Sequence, residues 1–564
     1  MSIIKKNHWC SKIRKNPQIL YYSFFFLLSI GSIYFALIKN QTLFYGDDLG
    51  FHLARIEGLA ESITKGDYFP RINYFITGGM GYATGIFYPD TFLYPAALIR
   101  LLGFSLVNSY ILFVVLVNFM TFIIAYHSFY CIRKSASKSF LFAFLYGLSS
   151  YRLSDVLYRA AVGEYLALMF LPLAFVGLFF IIFGDCKKWY ILAVGMSCLF
   201  LAHLLTSVIF IFFIVCLMVL NFSKLIKEKE RLVALLLAAG LTILFVANAL
   251  FPMIEQLVFQ RLRVQDTPVF YLQKMAQPLI EYVEIALQNV RFNNIGIFVL
   301  GLGFILCIRS KRLSRLNKQL LLIGLIFLFL STSYFPHWRF HETVFNAIQF
   351  PWRYFIIVTF CLLWVFADSW DNVLFKNKRW SQVVVVSLII GVLFSTLDVQ
   401  QKLASFTMRQ TTHDTFETFD GKGELGFGSE FLPSGMTAWM KPTDLFSNPP
   451  ENIQSKNLER KQNVFSFDYE VPSATKVIFP ILFYKGYQAK VEGEGTVSTV
   501  HDAGIFDGGK MHGFSEVTIT GRGHLTFWYE GTVIQKCSFL LSMISWLLFS
   551  LYLLFKIRVE KNKS

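Results

Sequence analysis

Long apolar runs constrain this chain more than any other feature of its sequence. The chain has 564 residues, of which 55% are hydrophobic and 62 are phenylalanine. Apolar runs of about 18 or more residues are typical of transmembrane helices. The sequence therefore predicts an α-helical polytopic membrane protein with about twelve transmembrane helices. The predicted spans are residues 19–38, 106–131, 139–151, 164–183, 190–204, 205–221, 232–250, 294–308, 319–334, 354–370, 381–398 and 537–555.

Basic residues are distributed unevenly between the two alternating sets of loops. The set that includes both termini holds 26 Lys and Arg in 71 residues, whereas the short loops of the other set hold 12 in 127 residues. Such an excess marks cytoplasmic loops. We therefore predict a bacterial cell-membrane protein with both termini cytoplasmic. Its net charge of +16 then reflects topology, and no nucleic-acid partner is predicted.

Three of the predicted outer segments are long: residues 39–90, 251–293 and 399–535. The third contains short strand-like runs between turn residues, among them VFSFDYEV, KVIFPILF, YQAKVEG, SEVTITG and HLTFWYE. We therefore predict a C-terminal extracytoplasmic β-rich domain before the last helix. The predicted parts are a polytopic membrane domain (1–398, with outer loop 39–90), a β-sandwich-like domain (399–535), and the last transmembrane helix with a cytoplasmic tail (536–564).

The first outer loop carries the stretch YGDDLGFHLARIEGL, with two adjacent carboxylates, Asp47 and Asp48. A helix over residues 49–64 would place Asp48, His52 and Arg55 on one face, beside an apolar stripe suited to the membrane interface. Adjacent carboxylates at a lipid–water boundary can bind a divalent cation or take a proton from an acceptor hydroxyl. His52 and Arg55 are candidates to bind a phosphate. The structural alternative is that the acidic pair caps the helix and Arg55 pairs with it.

A second group of charges follows in YRLSDVLYRAAVGEY. Arg152, Asp155 and Arg159 are spaced i, i+3 and i+7, which predicts that one helical face carries all three. Together with Glu164 they form either an ion-paired interfacial helix or a clamp on a diphosphate or a sugar ring. Both interpretations stay open at the level of sequence.

Arginines and tryptophans also occur together in FPHWRFHETVFNAIQFPWRY. Arg339 follows Trp338, and Arg353 follows Trp352. Trp and Arg at the end of a span are often interface anchors. Arginines beside aromatic rings also suit a lipid phosphate and a sugar, so both arginines are candidate substrate-binding residues.

A first outer loop with an acidic pair, an amphipathic helix and a G-D-x-x-P exit resembles the GT-C superfamily of membrane glycosyltransferases, which use polyprenyl-phosphate-linked sugars. The resemblance implies that an acidic residue of this loop is the catalytic base or a metal ligand. That role falls on Asp47 or Asp48, and the choice between them stays open. A divalent cation, Mg²⁺ or Mn²⁺, is the corresponding candidate cofactor.

A second resemblance extends along most of the chain. The segments GDDLGFHLARIEGL, GIFYPDTFLYPAALIRLLGFS, YRLSDVLYRAAVGEYLALMFLPL, IQFPWRY, GSEFLPS and FYKGYQA are similar to bacterial 6-pyruvoyl-tetrahydropterin synthase-related membrane proteins. The soluble enzyme in that family's name uses a zinc site of histidines. This sequence has no such set of histidines, so pterin synthesis is not predicted.

The sequence therefore predicts a GT-C-type glycosyltransferase that moves a sugar from a polyprenyl-phosphate carrier to an envelope polymer, lipid or protein on the outer face. One alternative is a non-catalytic envelope scaffold or carbohydrate-binding membrane protein. Another is a lipid or polysaccharide transporter, which is less favoured because ionisable residues are few within the spans. Substitution of Asp47 or Asp48 distinguishes an enzyme or metal site from a scaffold.

Overall fold

The computed structural model describes residues 17–266, 270–340, 343–406, 410–411, 429–436, 456–461, 464–504 and 513–561. Five of the described helices are long and apolar enough to cross a membrane, and the bent pair Lys229–Phe245 and Ala247–Phe259 would count as a sixth. The five are Leu106–Arg133, Val162–Ile182, Pro351–Val373, Lys378–Ser405 and Val533–Val559. The chain is therefore a multi-pass membrane protein.

A helix lies at each of the twelve positions predicted to be a span. Several of these helices are short, however, among them Ile19–Gly31, Leu204–Leu220 and Ile297–Ile308. A helix needs about 20 residues to cross the hydrocarbon core of a bilayer. A helix of 10 to 17 residues is therefore too short to be counted as a span by its length. The number of twelve spans therefore stays a prediction.

Contacts divide the chain into two compact units. Unit 1 comprises Met1–Leu49, Gly103–Gly240 and Phe270–Glu417, and unit 2 comprises Gly50–Leu102, Leu241–Val269 and Thr418–Ser564. The predicted boundaries near residues 398 and 535 are not tested by this division and stay a prediction.

Unit 1 is mainly helical. Its helices are Pro17–Gly31, Leu106–Arg133, Ala136–Gly147, Ser150–Leu153, Val162–Ile182, Tyr190–Ala202, Leu204–Leu220, Phe222–Lys227, Leu272–Met275, Leu279–Gln288, Ile297–Ile308, Arg315–Ser331, Phe355–Val373 and Lys378–Ser405. Two π-helices, Tyr34–Ile38 and Ser154–Arg159, interrupt this pattern. Two short strands, β1 (Leu43–Phe44) and β2 (Gln410–Thr411), pair antiparallel.

Aromatic rings fill the interior of unit 1. Trp364 is fully buried, and its ring centroid lies 4.4 Å from that of Phe129, 5.0 Å from Phe142 and 4.8 Å from Phe175. These four residues belong to four different helices of the unit. Tilted and edge-to-face ring pairs of this kind add to the stabilisation that burial provides, so the high phenylalanine content is used to join the helices.

Unit 2 combines helices with one antiparallel sheet. Its helices are Leu49–Thr64, Thr84–Phe87, Tyr94–Leu101, Ala247–Phe259 and Val533–Lys561, and Lys229–Phe245 ends within it. The strands are β3 (Lys456–Lys461), β4 (Val464–Leu482), β5 (Tyr487–Gly493), β6 (Thr496–Val497), β7 (His501–Asp502) and β8 (Phe514–Tyr529). Their order is β3-β4-β8-β5, and β6 and β7 also pair with β8.

The prediction of a C-terminal β-rich region is confirmed. The five predicted runs lie in β4, β5 and β8, and the first two are joined into one long strand across a register shift between Val471 and Thr475. Strands β3 to β8 form one sheet, while β2 pairs with β1. The second sheet that a sandwich requires stays a prediction, since many residues between 407 and 455 lie outside the described residues.

One face of this sheet packs into the core of unit 2. Phe467 on β4 and Phe527 on β8 belong to that core, together with Phe51 and Ala54 from the helix Leu49–Thr64. The predicted helix over residues 49–64 is thus confirmed. Leu53 and Ile56 of the predicted apolar stripe are fully buried within the protein, so the prediction that this stripe faces the membrane is wrong. The position of the helix relative to the membrane stays a prediction.

Candidate active site

Asp48 lies in a turn beside the chain at Tyr158 and Arg159. Its backbone N–H donates to the carbonyl oxygen of Arg159 at 3.0 Å. Gly46 permits this approach, because a Cβ atom at that position would lie 2.0 Å from the carbonyl oxygen of Tyr158. The Asp47 side chain is exposed, whereas Asp48 is partly buried. The turn therefore presents Asp48 to the charged groups around Arg159.

Arg159 joins two buried carboxylates. Its Nη1 donates to Asp155 Oδ1 at 2.7 Å and to Glu164 Oε2 at 3.0 Å. The Tyr151 hydroxyl donates to Glu164 Oε1. Glu164 is 1% exposed and Arg159 4% exposed. Buried charges are tolerated when they are paired and hydrogen-bonded. Both carboxylates pair with Arg159, while the buried Asp155 Oδ2 accepts no hydrogen bond among the described residues.

Arg353 brings a second guanidinium to Glu164. Its Nε lies 3.6 Å from Glu164 Oε2, and its Nη1 donates to Ile348 O at 2.7 Å and to Gln349 Oε1 at 2.9 Å. Gln349 has a φ of +64° and a ψ of −48°, and the Phe350 N–H donates to Ile348 O at 2.7 Å. These values define a strained γ-turn. Strain of this kind is concentrated at functional sites.

Arg159 and the four charged residues around it define an ion cluster: Asp48, Asp155, Glu164, Arg159 and Arg353. Burial raises the pKa of the Asp48 carboxyl to about 6, an effect that the Arg159 guanidinium opposes. Burial also raises the pKa of Asp155 well above its usual range. Asp48 is therefore mostly ionised at neutral pH while retaining enough basicity to accept a proton.

No protein-family model matches the chain, and no curated protein matches it. Solved structures that it resembles include the archaeal oligosaccharyltransferase AglB from Archaeoglobus fulgidus, in complex with an inhibitory peptide and a dolichol-phosphate, at 10% identity and a TM-score of 0.40 over 70% of this chain and 56% of that chain. Another is ArnT from Cupriavidus metallidurans bound to undecaprenyl phosphate, at 12% identity and a TM-score of 0.36 over 73% and 77%. The chain thus spans little more than half the length of AglB. Its membership of either family named above stays a prediction.

Arg152 is directed away from the ion cluster. Its Nη2 donates to Asn118 Oδ1 at 2.8 Å and to Thr121 Oγ1 at 3.0 Å, and its Nη1 donates to Gly147 O at 3.2 Å. The predicted shared face of Arg152, Asp155 and Arg159 is therefore wrong. The reason is local: Ser154–Arg159 is a π-helix, whose wider turn changes the direction of successive side chains relative to an α-helix.

Arg55 and His52 lie in unit 2, where Arg55 is 2% exposed. Arg55 donates from Nη2 and Nε to Asp90 Oδ1 at 2.7 and 3.0 Å, and from Nη2 to Tyr88 O at 2.8 Å. Its guanidinium lies 4.1 Å from the Tyr88 ring centroid and 3.2 Å from His52 Nδ1. The observed acidic partner is Asp90, so the pairing of Arg55 with the Asp47 and Asp48 carboxylates is wrong. A substrate-binding role for His52 and Arg55 stays a prediction.

Arg339 is exposed in the short helix His337–Phe340. Its guanidinium lies 5.0 Å from the Trp338 ring centroid, an arrangement typical of a cation–π contact. This geometry fits an interface anchor as well as a ligand-binding residue. The predicted substrate-binding role of Arg339 is therefore unchanged by the structure.

Sequence reasoning did not select Tyr151, Gln349 or Asp90. Tyr151 contributes through its hydrogen bond to Glu164, and Gln349 contributes through an unusual backbone turn. Residue spacing does not predict either feature. Asp90 is different, because it lies in the same predicted outer loop as Arg55. A search of that loop for an acidic partner of Arg55 would have included Asp90 among several candidates.

Replacement of Arg55 by Met is expected to lower the free energy of unfolding by about 3 kcal/mol, because it leaves the buried Asp90 carboxylate without its cation. The matched control is Lys65→Met at the end of the same helix region, where Lys65 pairs with exposed Glu61; its expected loss is below about 1 kcal/mol. Denaturant titration of the detergent-solubilised chain measures both. Equal losses for the two variants would contradict a stabilising role for the Arg55–Asp90 pair.

Proposed function

We propose that this chain is a membrane glycosyltransferase that transfers a sugar from a polyprenyl-phosphate carrier to an acceptor hydroxyl on the outer face of the cell membrane. The observation that carries this proposal is the partly exposed Asp48, whose backbone N–H is hydrogen-bonded to Arg159 and whose carboxyl interacts electrostatically with Arg159 and Arg353. Such a transfer requires a base that removes the proton of the acceptor hydroxyl and cations that stabilise the negative charge of the departing phosphate. A carboxylate near two arginines can supply both. The sequence resemblance to the GT-C superfamily supports the same proposal.

In the proposed reaction, Asp48 accepts the proton of the acceptor hydroxyl as its oxygen attacks the anomeric carbon of the sugar. The bond between that carbon and the phosphate oxygen breaks, and its electron pair leaves with the polyprenyl phosphate. Attack and departure on opposite sides of the ring invert the anomeric configuration. A pKa of about 6 for Asp48 suits this role, since the group is ionised at neutral pH and still basic.

Arg159 and Arg353 are the proposed ligands of the departing phosphate. Within the described ranges, no residue accepts a hydrogen bond from the buried Nε of Arg353. This nitrogen is a donor that a phosphate oxygen can use. Glu164 and Asp155 hold the Arg159 guanidinium in place, so the charge is oriented before substrate binds.

A divalent cation is a further part of the proposal. The described part of the chain contains no group of three or more His, Cys, Asp or Glu side chains suited to a metal ion. Mg²⁺, however, is commonly bound by one or two carboxylates together with substrate phosphates. Asp47 and Asp48 are adjacent carboxylates and would be the protein ligands of such an ion. The bound ion would neutralise the negative charge of the substrate phosphate.

The test of this function uses the purified chain in lipid nanodiscs with a panel of polyprenyl-phosphate-linked sugars and candidate acceptors. Wild-type protein is expected to release free polyprenyl phosphate from at least one donor, because sugar transfer breaks the sugar–phosphate bond. Empty nanodiscs are the control, and each reaction is repeated with EDTA and with added Mg²⁺ or Mn²⁺. Absence of release from every donor would contradict the enzyme and favour the non-catalytic scaffold.

A further inference from the structure

The face of the sheet that is opposite to the core of unit 2 carries an ordered set of side chains. Side chains alternate between the two faces of a strand, and Phe467 and Phe527 point into the core, so their neighbours in sequence point outward. The pairing of β5, β8 and β4 places nine outward positions in three rows, which we call the Trp528 face. The rows are Gln488–Trp528–Val464, Lys490–Thr526–Ser466 and Glu492–His524–Asp468.

Trp528 is the aromatic residue of this face and lies on its central strand. Its side chain is partly exposed. Among the residues described, no ring stacks on its indole and no group hydrogen-bonds to its Nε1. A large indole left partly exposed on a sheet face combines an apolar surface with a polar N–H group, which is the combination that recognition surfaces use.

The residues around Trp528 supply hydrogen-bonding groups at fixed positions. Gln488 offers an amide on one side, and Thr526 and Ser466 offer hydroxyls in the next row, so both donors and acceptors are present. The charged members are paired with one another. Lys490 Nζ lies 3.0 Å from Glu492 Oε1, and His524 Nδ1 lies 2.7 Å from Asp468 Oδ1.

We propose that the Trp528 face binds a neutral oligosaccharide, with one sugar ring stacked on the indole and its hydroxyls bonded to Gln488, Thr526 and Ser466. A sugar ring has an apolar C–H face and a polar edge, and this face offers a partner for each. The Trp528 face shares no residue with the ion cluster, and binding there does not depend on sugar transfer. It therefore gives the chain a second contact with carbohydrate.

The charges of the face favour this ligand over other kinds. Strand β3 adds Lys461, Glu459 and Lys456 to the same three rows. With His524 neutral, three Lys and three carboxylates then balance, and a face without net charge offers no electrostatic attraction to anionic polymers or phosphates. A membrane surface or a protein interface requires a larger apolar area around the aromatic residue. Polar side chains surround Trp528 instead, apart from Val464. A neutral polyhydroxylated ligand fits this combination.

The test measures binding of chitohexaose, cellohexaose, maltohexaose and a heparin hexasaccharide to the full chain in nanodiscs by isothermal titration calorimetry. At least one neutral hexasaccharide is expected to bind, and Trp528→Ala is expected to weaken that binding by at least about tenfold, which is 1.4 kcal/mol. Trp380→Ala, which removes a tryptophan that is 61% exposed elsewhere, is the matched control and is expected to bind like wild type.

A double variant, Gln488→Ala with Thr526→Ala, tests the same site without altering Trp528. It is expected to weaken binding at least about tenfold through lost hydrogen bonds, and it keeps the proposal testable where Trp528→Ala does not fold. Binding of none of the three neutral probes overturns the proposal. So does binding only of the heparin probe, or equal binding by wild type and by the folded variants.

Discussion

Replacement of Asp48 by Asn is expected to lower the turnover number for sugar transfer by about 10³-fold, because an amide cannot accept the proton of the acceptor hydroxyl. The side chain keeps its size, so the turn beside Arg159 is retained. The measurement is release of polyprenyl phosphate in nanodiscs from the donor that wild type uses. Retention of activity within about threefold of wild type would contradict Asp48 as the base, since a general base contributes about 10² to 10⁴.

The pH dependence gives the same prediction an independent test. Burial raises the pKa of Asp48 to about 6, so the wild-type rate is expected to increase as the pH rises through about 6 and Asp48 loses its proton. The pKa of Asp48 in the folded chain lies above the value of about 3.9 in the unfolded chain. Protonated Asp48 therefore favours the folded state. This contribution to the free energy of unfolding is fully present below about pH 4 and is lost as the pH rises through about 6. Asp48→Asn is therefore expected to raise the melting temperature at pH 7.5 while lowering activity.

Asp47→Asn is the matched control, because it makes the same chemical change at the adjacent, exposed carboxylate. Its expected loss of turnover is smaller than that of Asp48→Asn, since Asp47 does not have the buried environment that raises the pKa of Asp48. A loss confined to Asp47→Asn, with Asp48→Asn as active as wild type, would refute Asp48 as the base.

Replacement of Arg159 by Met is expected to destabilise the chain by about 5 kcal/mol, the upper end of the range for breaking a buried ion pair. The reason is that one substitution leaves two buried carboxylates, Asp155 and Glu164, without their shared cation. Thermal and denaturant unfolding of the solubilised chain measure the loss. Activity is expected to disappear with it, because Arg159 is also a proposed phosphate ligand.

The control for this variant is Arg522→Met, which removes an exposed arginine that pairs with exposed Glu494. Its expected effect is below about 1 kcal/mol, as is usual for exposed ion pairs. A second variant, Arg159→Lys, keeps the charge but loses the planar fork of the guanidinium, and its stability is expected to fall between wild type and Arg159→Met. A loss below about 1 kcal/mol for Arg159→Met would show that the cluster does not stabilise the fold.

Features that depend on neighbouring residues could be predicted from the sequence. The helices at the twelve apolar stretches, the helix Leu49–Thr64 and the strands of the C-terminal region are all present. Each follows from a repeating local pattern: continuous apolar residues for a span, alternation for a strand, and a 3.6-residue period for a helix. The number of helices that cross the membrane could not be predicted in the same way. Helix length depends on breaks in the helices, and apolar composition does not reveal them.

The sequence alone also identified Asp48, Arg159, Glu164 and Arg353 as charged groups in an apolar chain, where a buried charge requires a partner. It did not determine which partners they have. Only the tertiary structure placed Glu164 between Arg159 and Arg353 and directed Arg152 to Asn118. Secondary structure reflects interactions between residues a few positions apart. The burial that raises the pKa of Asp48, and the arginines Arg159 and Arg353 that oppose the rise, are brought to Asp48 from distant parts of the chain only when it folds.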